Sequence, residues 1–278
     1  MEHLYTSTAF ECSKLITESY STSFTLGIKT LNKKFRMPIY AIYGYVRYAD
    51  EIVDTFHEFD KKKLLNKFME DTFDAIEEGV SLNPVLHSFQ VIVNQYKIDH
   101  DLIRAFLKSM EMDLDKQAYN TTQYDAYIYG SAEVVGLMCL KIFCEGDEQQ
   151  YQTLLPSAKS LGAAFQKVNF LRDIQSDYKE RGRVYFPGID FTTFGESEKE
   201  QIEKDIKADF DHALDGIKKL PIASRAGVYL AYIYYLRLFK KIRNLSSTQI
   251  SQERIRIPDI QKIMLLCKTM ILHRLNFL

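Results

Sequence analysis

The chain has no tryptophan, and only 12 glycines and 6 prolines in 278 residues. Scarce turn formers argue against many short strands and favour long helices. Charge of one sign is also missing: the net charge is −1 at pH 7, so no field is set up to attract nucleic acid. No apolar run reaches the roughly 18–20 residues needed to span a bilayer. The best, Val134 to Cys144, is short and broken by Lys141. The start, MEHLYTSTAF, lacks a basic end followed by an apolar run, so no signal peptide is expected. Cys12, Cys139, Cys144 and Cys267 form no CxxC pair and read as buried free thiols of a reducing compartment. These absences together predict a cytoplasmic protein that at most rests on a membrane. Neither a Walker loop nor GxGxxG occurs, which disfavours nucleotide binding.

What is present is apolar and ring-rich. Hydrophobic residues make up 46%, charged residues 26%, and there are eighteen Tyr and eighteen Phe. That balance fills a sizeable core, and the rings suit either dense packing or a lined cavity. Without repeats or low-complexity linkers, 1–278 reads as a single all-α domain.

The periodicity predicts helices over 7–26, 38–57 (opened by Pro38), 61–79, and from Asn83-Pro84 to Tyr96. Ser19 to Phe24 should bend the first, and its hydroxyls could meet an anion. Asp99 caps the next helix, whose acidic end, Glu111, Asp113 and Asp115, reads as solvated. Thr121 to Cys144 reads as one long helix. Its interior Gly130 and Gly136 each cost about 1 kcal/mol against Ala, so they need a packing or bending reason. Further helices are expected over 148–180, kinked near Pro156, over 195–218, from Pro221 to Ile242, and from Pro258 onward. The basic RGRVYFP segment reads as a loop, and Arg254-Ile255-Arg256 as a basic strip.

Two helical faces carry the chemistry. Gln166, Asn169, Asp173 and Asp177 fall at i, i+3, i+7 and i+11, one narrow stripe beside the apolar Phe165, Val168, Phe170 and Leu171. Tyr43, Arg47, Asp50 and Asp54 are spaced 4, 3 and 4, within about 60° on a helical wheel. Carboxylates one turn apart repel unless a cation neutralises them. With only hard oxygens, no His or Cys alongside, and Asn169 as a neutral ligand, the pattern favours Mg²⁺ or Mn²⁺ over Zn²⁺. Arg47, Arg172, Arg181 and Arg183 flank the acids, and Arg suits bidentate phosphate binding. Carboxylate, metal and Arg describe a diphosphate clamp, and the apolar remainder suits a diphosphate on a hydrocarbon body. Metal-bound diphosphate could leave while a dry aromatic pocket holds the carbocation. Each acidic pair alone reads more simply as a solvated helix face.

At these residues the sequence resembles the squalene and phytoene synthase family of head-to-head prenyl transferases, most closely its bacterial phytoene synthases. The segments are YGYVRYADEIVD, QKVNFLRDIQSD with RGRVYFP, the N-terminal STSF, and YGSAEVVG. The resemblance implies an isoprenoid-synthase helical bundle around a central cavity. It implies that Asp50, Asp54, Asp173 and Asp177, with Asn169, bind Mg²⁺. Arg47 and Arg172 would hold diphosphate, with Arg183, Tyr185, Arg254 and Arg256 closing over it. Ser21, Ser23, Phe24, Tyr43, Gln166 and Tyr234 would border the substrate, and Tyr129 would serve the rearrangement. The implied reaction joins two geranylgeranyl diphosphates through a cyclopropylcarbinyl diphosphate to phytoene, in carotenoid synthesis. The alternative is the farnesyl reaction, giving dehydrosqualene, squalene or presqualene diphosphate. A non-catalytic assembly or lipid-binding member should have lost motif acids, and here all four stand. NADPH is not expected. Prenyl diphosphates, a membrane surface met peripherally and downstream carotenoid enzymes are the implied partners. Ser176 stands where many members carry an acid, and the stretch from Asp177 to Arg183 is a residue longer than the family pattern.

Overall fold

The computed structural model describes residues 2–114, 119–179, 185–187, 194–250 and 255–275. Among them there is no strand. In chain order the helices are α1 (Glu2–Tyr20), α2 (Thr22–Thr30), α3 (Lys33–Asp54), α4 (Lys61–Glu78), α5 (Pro84–Tyr96) and α6 (His100–Met112). Next come α7 (Thr121–Ile128), a π-helical turn (Tyr129–Glu133) and α8 (Val134–Cys144). The second half is α9 (Glu148–Lys179), α10 (Glu196–Lys219), α11 (Ile222–Arg243), the short α12 (Ser247–Ile250) and α13 (Asp259–Arg274). The all-α expectation holds.

Local chemistry explains the boundaries. Ser21 is extended, and its side chain accepts a bond from Phe24 N at 3.2 Å. The bend expected near Ser19–Phe24 is thus a full break, with Ser21 capping α2. α3 begins five residues before Pro38, because Asn32 accepts from Lys34 N and caps it. Pro38 therefore lies in the second turn rather than at the start. Asn83 and Asp99 cap α5 and α6 as the sequence indicates.

The core condenses around α3. Tyr45 is fully buried, stacked 3.7 Å from Phe89 and 5.2 Å from Phe68. A ring buried this way contributes about 1.5–3 kcal/mol.

α7, the π turn and α8 form a 24-residue rod through the middle of the bundle. By length and composition this rod could cross a membrane, contrary to the expectation from uninterrupted runs. Its most apolar window is 56% buried inside the protein, however, and it packs on α6 and α9. The rod is therefore a core helix that reaches spanning length by joining the half-polar α7 to the apolar α8. Its glycines have the expected packing reason. A Cβ on Gly130 would stand 2.5 Å from Ala105 O on α6. One on Gly162 of α9 would stand 2.8 Å from Ala132 O in the π turn. Only hydrogen in place of Cβ lets three backbones approach this closely.

α9 lies between the rod and α10. On its α10 side the buried Lys167 pairs with Asp205 and, at 2.7 Å, with Asp209. The face of α9 between its rod and α10 contacts lines an interior space. α11 packs on α2, and α13 lies across α11 and α2.

Candidate active site

The polar stripes of α3 and α9 meet in one pocket of about 650 Å³. α3 brings Tyr43, Arg47, Asp50 and Asp54; α9 brings Gln166, Asn169, Arg172, Asp173 and Asp177. The start of α2 adds Ser21, Ser23 and Phe24, α11 adds Tyr234, and Tyr185 follows α9. Fourteen residues singled out in the sequence therefore share one wall system. Helical period alone put each stripe on a single face; the fold brings the two stripes into the same cleft.

A second cavity of about 410 Å³ continues from the first. The two share Phe24, Tyr43, Arg47, Asp50, Tyr127, Gln166, Asn169 and Tyr235. Beyond that boundary the walls are Ile28 and Leu31 of α2, Val135 and Cys139 of the rod, and Ala158 and Leu161 of α9. From Asn169 back to Leu154, α9 lines the cavity over fifteen residues, about 22 Å at the helical rise. A polar mouth thus opens into a deep apolar sleeve.

The charges in the mouth are tightly held. Burial pushes the Asp50 carboxyl up to about 7; Arg47 opposes the rise, while Asp54 and Asp113 add to it. About a third of the Asp50 side chain is open, and that surface faces the cavity it lines. Arg47 pairs with Glu51, approaches Asp50 at 3.8 Å, and stacks 4.4 Å from the Tyr20 ring. Arg172 forks onto Asp173, its Nε 3.0 and 3.1 Å from the two carboxylate oxygens. Burial disfavours the Arg172 charge, but bonding to Asp173 outweighs it and the net shift is upward. Asn169 donates to Gln166 at 3.4 Å, and Gln166 donates to Ser131 at 3.1 Å. Tyr235 stacks 4.0 Å from Phe165, and burial pushes the Tyr43 phenol up to about 12.

Three residues of this site were not singled out by the sequence. Asp113, expected in a solvated acidic end, is buried, lines the mouth, and accepts a 2.7 Å bond from Tyr127. Tyr127 lines both compartments, and burial, then the Asp113 charge, pushes its phenol well up. Tyr235 lies on the boundary between the compartments, while its neighbour Tyr234 lines the mouth alone. Tyr129, by contrast, lines neither compartment; its ring lies 4.7 Å from Lys159 Nζ. Two residues along a helix turn a side chain by about 200°, so Tyr127 takes the inward place expected for Tyr129. Arg256 is exposed, its carbonyl accepting from Lys241. Arg181, Arg183, Arg254 and Asp115 lie outside the described residues.

Among the described residues no three acid, His or Cys side chains converge on one ion position. The acids come instead as pairs one turn apart, Asp50 with Asp54 and Asp173 with Asp177. That donor set fits Mg²⁺, which keeps several waters and uses one or two carboxylates together with phosphate oxygens. Arg47 Nε, buried without a hydrogen-bond partner, is the donor an anionic oxygen would satisfy. The Arg47–Glu51 and Arg172–Asp173 pairs must loosen to admit such an anion and its cation.

Known proteins share the sequence pattern and the fold. Residues 17–261 match the family model described as squalene/phytoene synthase. Phytoene synthase from Arthrospira platensis is 27% identical over 286 residues, covering 94% of this chain and 92% of that one. Chloroplastic phytoene synthase 1 of Solanum lycopersicum is 29% identical over 251 residues, covering 83% of this chain; the match spans only 60% of the tomato protein. Among solved structures, a dehydrosqualene synthase superposes with a TM-score of 0.82 at 22% identity, covering 95% of this chain and 96% of that one. A squalene synthase from Alicyclobacillus acidocaldarius gives 0.75 at 19% identity, covering 87% and 95%. At those identities the two structures establish the shared fold.

Proposed function

The chain belongs to the squalene/phytoene synthase family, whose members are prenyltransferases, and from that premise we propose that it joins two allylic prenyl diphosphates head to head. The observation that carries the reading is the joined pair of compartments. A polar mouth with five carboxylates and two guanidinium groups opens into an apolar sleeve about 22 Å deep along α9. The mouth suits diphosphate and the sleeve suits a prenyl chain.

Asp50, Asp54, Asp173 and Asp177, with Asn169, would hold Mg²⁺, and Mn²⁺ matches the same hard donors. Bound there, the metal would supply positive charge to the departing diphosphate. Arg47 Nε and the Arg172 fork would bind and orient phosphate oxygens. Phe24, Tyr43, Phe165 and Tyr235 would exclude water and present ring faces to cationic carbon. One substrate ionises and releases its diphosphate, its carbon bonds to the double bond of the second, and a proton is lost as the three-membered ring closes, giving a cyclopropylcarbinyl diphosphate. That intermediate loses its own diphosphate and rearranges. Tyr127, held by Asp113 at the boundary, is the residue we place beside the rearranging carbons. Loss of a proton then ends the reaction without NADPH.

We favour the twenty-carbon substrate, geranylgeranyl diphosphate, and the product phytoene. The named phytoene synthases among the relatives support this length, as does the depth of the sleeve. The test is incubation with geranylgeranyl or farnesyl diphosphate and Mg²⁺, with and without NADPH, followed by hydrocarbon analysis. Phytoene and inorganic diphosphate are expected from the twenty-carbon substrate without reductant. A product only from farnesyl diphosphate would move the assignment to the fifteen-carbon reaction, and no turnover of either would sink it. Asp50→Asn and Asp173→Asn should each lower turnover about 100-fold or more while leaving helicity intact.

A further inference from the structure

α13 is apolar on both sides: Leu265, Leu266 and Leu272 are half-buried against the body of the protein, and a second apolar set points outward. Its fully buried residue is Thr269, and Lys262 is tucked inward, its Nζ donating to Thr22 Oγ1 of α2 at 2.9 Å. Its outward residues are apolar: Ile260 is 66% exposed, Met264 62% and Ile271 58%, with Ile263 and Leu275 also exposed. At the α-helical period Ile260, Met264, Cys267, Ile271 and Leu275 fall within about 80° of arc. A helix normally turns such a stripe to the core.

Beyond the exposed Asp259 at its start, which pairs with Lys262 at 2.9 Å, the formal charge along this helix is positive. From Ile260 to Leu275 there is no Asp or Glu, while Lys268 and Arg274 are exposed beside the stripe. Exposed Arg256 and Lys241 extend the basic region from the preceding segment and α11. An apolar stripe flanked by cations is the pattern of a helix lying in the plane of an anionic bilayer, with rings and aliphatic groups among the acyl chains and cations at the headgroups. A second copy fits less well. A twofold contact through this stripe would set Lys268 and Arg274 against their own counterparts.

We propose that the outer face of α13 docks the protein on an anionic lipid surface. The position of α13 gives the contact a use. It packs on α2 and α11, which supply Ser21, Phe24, Tyr234 and Tyr235 to the mouth of the pocket. A bilayer held there lies beside the rim through which a prenyl chain would pass. The docking itself stands whether or not that reaction is the one catalysed.

The experiment is flotation of the full chain with vesicles of phosphatidylcholine alone or mixed with phosphatidylglycerol, at low and high salt. The protein is expected to float with the mixed vesicles, much less with phosphatidylcholine, and less as salt rises. The triple variant Ile260→Gln, Met264→Gln, Ile271→Gln should bind roughly tenfold or more weaker. Lys268→Glu with Arg274→Glu should lose the preference for phosphatidylglycerol. All these side chains are exposed, so circular dichroism should not change, and turnover of detergent-dispersed substrate should stay at the wild-type level. The proposal is overturned if the wild type stays unbound with both vesicles, or if the triple variant floats equally well. It is also overturned if the wild type is a dimer that the triple variant dissociates, which would assign the face to a second copy.

Discussion

Asp50 carries its carboxyl up to about 7 in the folded chain, against 3.8 for an ordinary aspartate, because burial disfavours its charge. Between those values the folded state keeps a proton that the unfolded state has already released. Stability therefore falls as pH rises from about 4 to 7, and the penalty is complete above that. Asp50→Asn removes the ionisable group. Without metal, with chelator present, it should raise stability by about 1–3 kcal/mol near pH 8, a range reduced for the solvent-open part of the side chain. The gain should vanish near pH 3.5, where both states are protonated. Urea denaturation at the two pH values measures this, and a variant less stable than wild type near pH 8 would contradict it. The same substitution should lower turnover about 100-fold or more, so activity and stability move in opposite directions at this residue. Tyr127 behaves otherwise. Its hydroxyl donates to buried Asp113, and Tyr127→Phe should cost about 1–3 kcal/mol of stability, because a buried carboxylate loses a donor. The mouth would keep its four metal-facing acids, so a large loss of activity in that variant with diphosphate binding retained would place Tyr127 in the step after ionisation.

The π turn in the rod sets which side chains reach the boundary between compartments. Val134 N–H bonds back to Tyr129 O, five residues earlier, which inserts one residue into the α-helical register. Gly130 makes the insertion compatible with packing, since any Cβ there meets the α6 backbone at Ala105 O and the Ser109 side chain. Gly130→Ala should destabilise the fold by about 1–3 kcal/mol, read as a lower thermal midpoint. It should also weaken substrate binding, because Ser131, next to it, accepts from Gln166. Unchanged melting would mean that α6 and the rod can part without cost. Periodicity along each element also decides what the sequence reveals and what it conceals. The α9 stripe is legible because Gln166 to Asp177 repeat with the α-helical period on one uninterrupted helix. The α3 stripe is legible for the same reason. Tyr127 is not, because the resemblance alone points to Tyr129, and no periodic polar stripe marks which tyrosine of Tyr124, Tyr127 and Tyr129 faces the interior. Asp113 is hidden differently: an acid at an acid-rich helix end reads as solvated until the rod packs Tyr127 over it. Helix starts are legible where a capping side chain precedes a Pro, as at Asn83. They are misjudged where Pro38 draws attention away from Asn32.

At the scale of the molecule, the bundle keeps a charged mouth and an apolar sleeve separate yet continuous. The helices that form one compartment largely form the other. α3 gives Asp50 to the mouth and Ile42 to the sleeve, and α9 gives Asp173 to the mouth and Ala158 to the sleeve. Chain length can therefore be changed at one end of α9 without touching the chemistry at the other. Ala158 lies eleven residues from Asn169, about 16 Å along the helix, and lines the sleeve. Ala158→Phe should put a ring into the space, shortening the sleeve while leaving Asp50, Asp54, Asp173 and Asp177 in place. Given equal farnesyl and geranylgeranyl diphosphate, the ratio of thirty-carbon to forty-carbon product should rise roughly tenfold, the scale expected when a site loses room for part of an apolar chain. The Mg²⁺ dependence should not change, because the mouth is unaltered. An unchanged product ratio in a folded, active variant would mean the hydrocarbon lies elsewhere. A loss of all activity with both substrates would instead show that α9 transmits the strain to Asn169 and Asp173, making mouth and sleeve one mechanical unit.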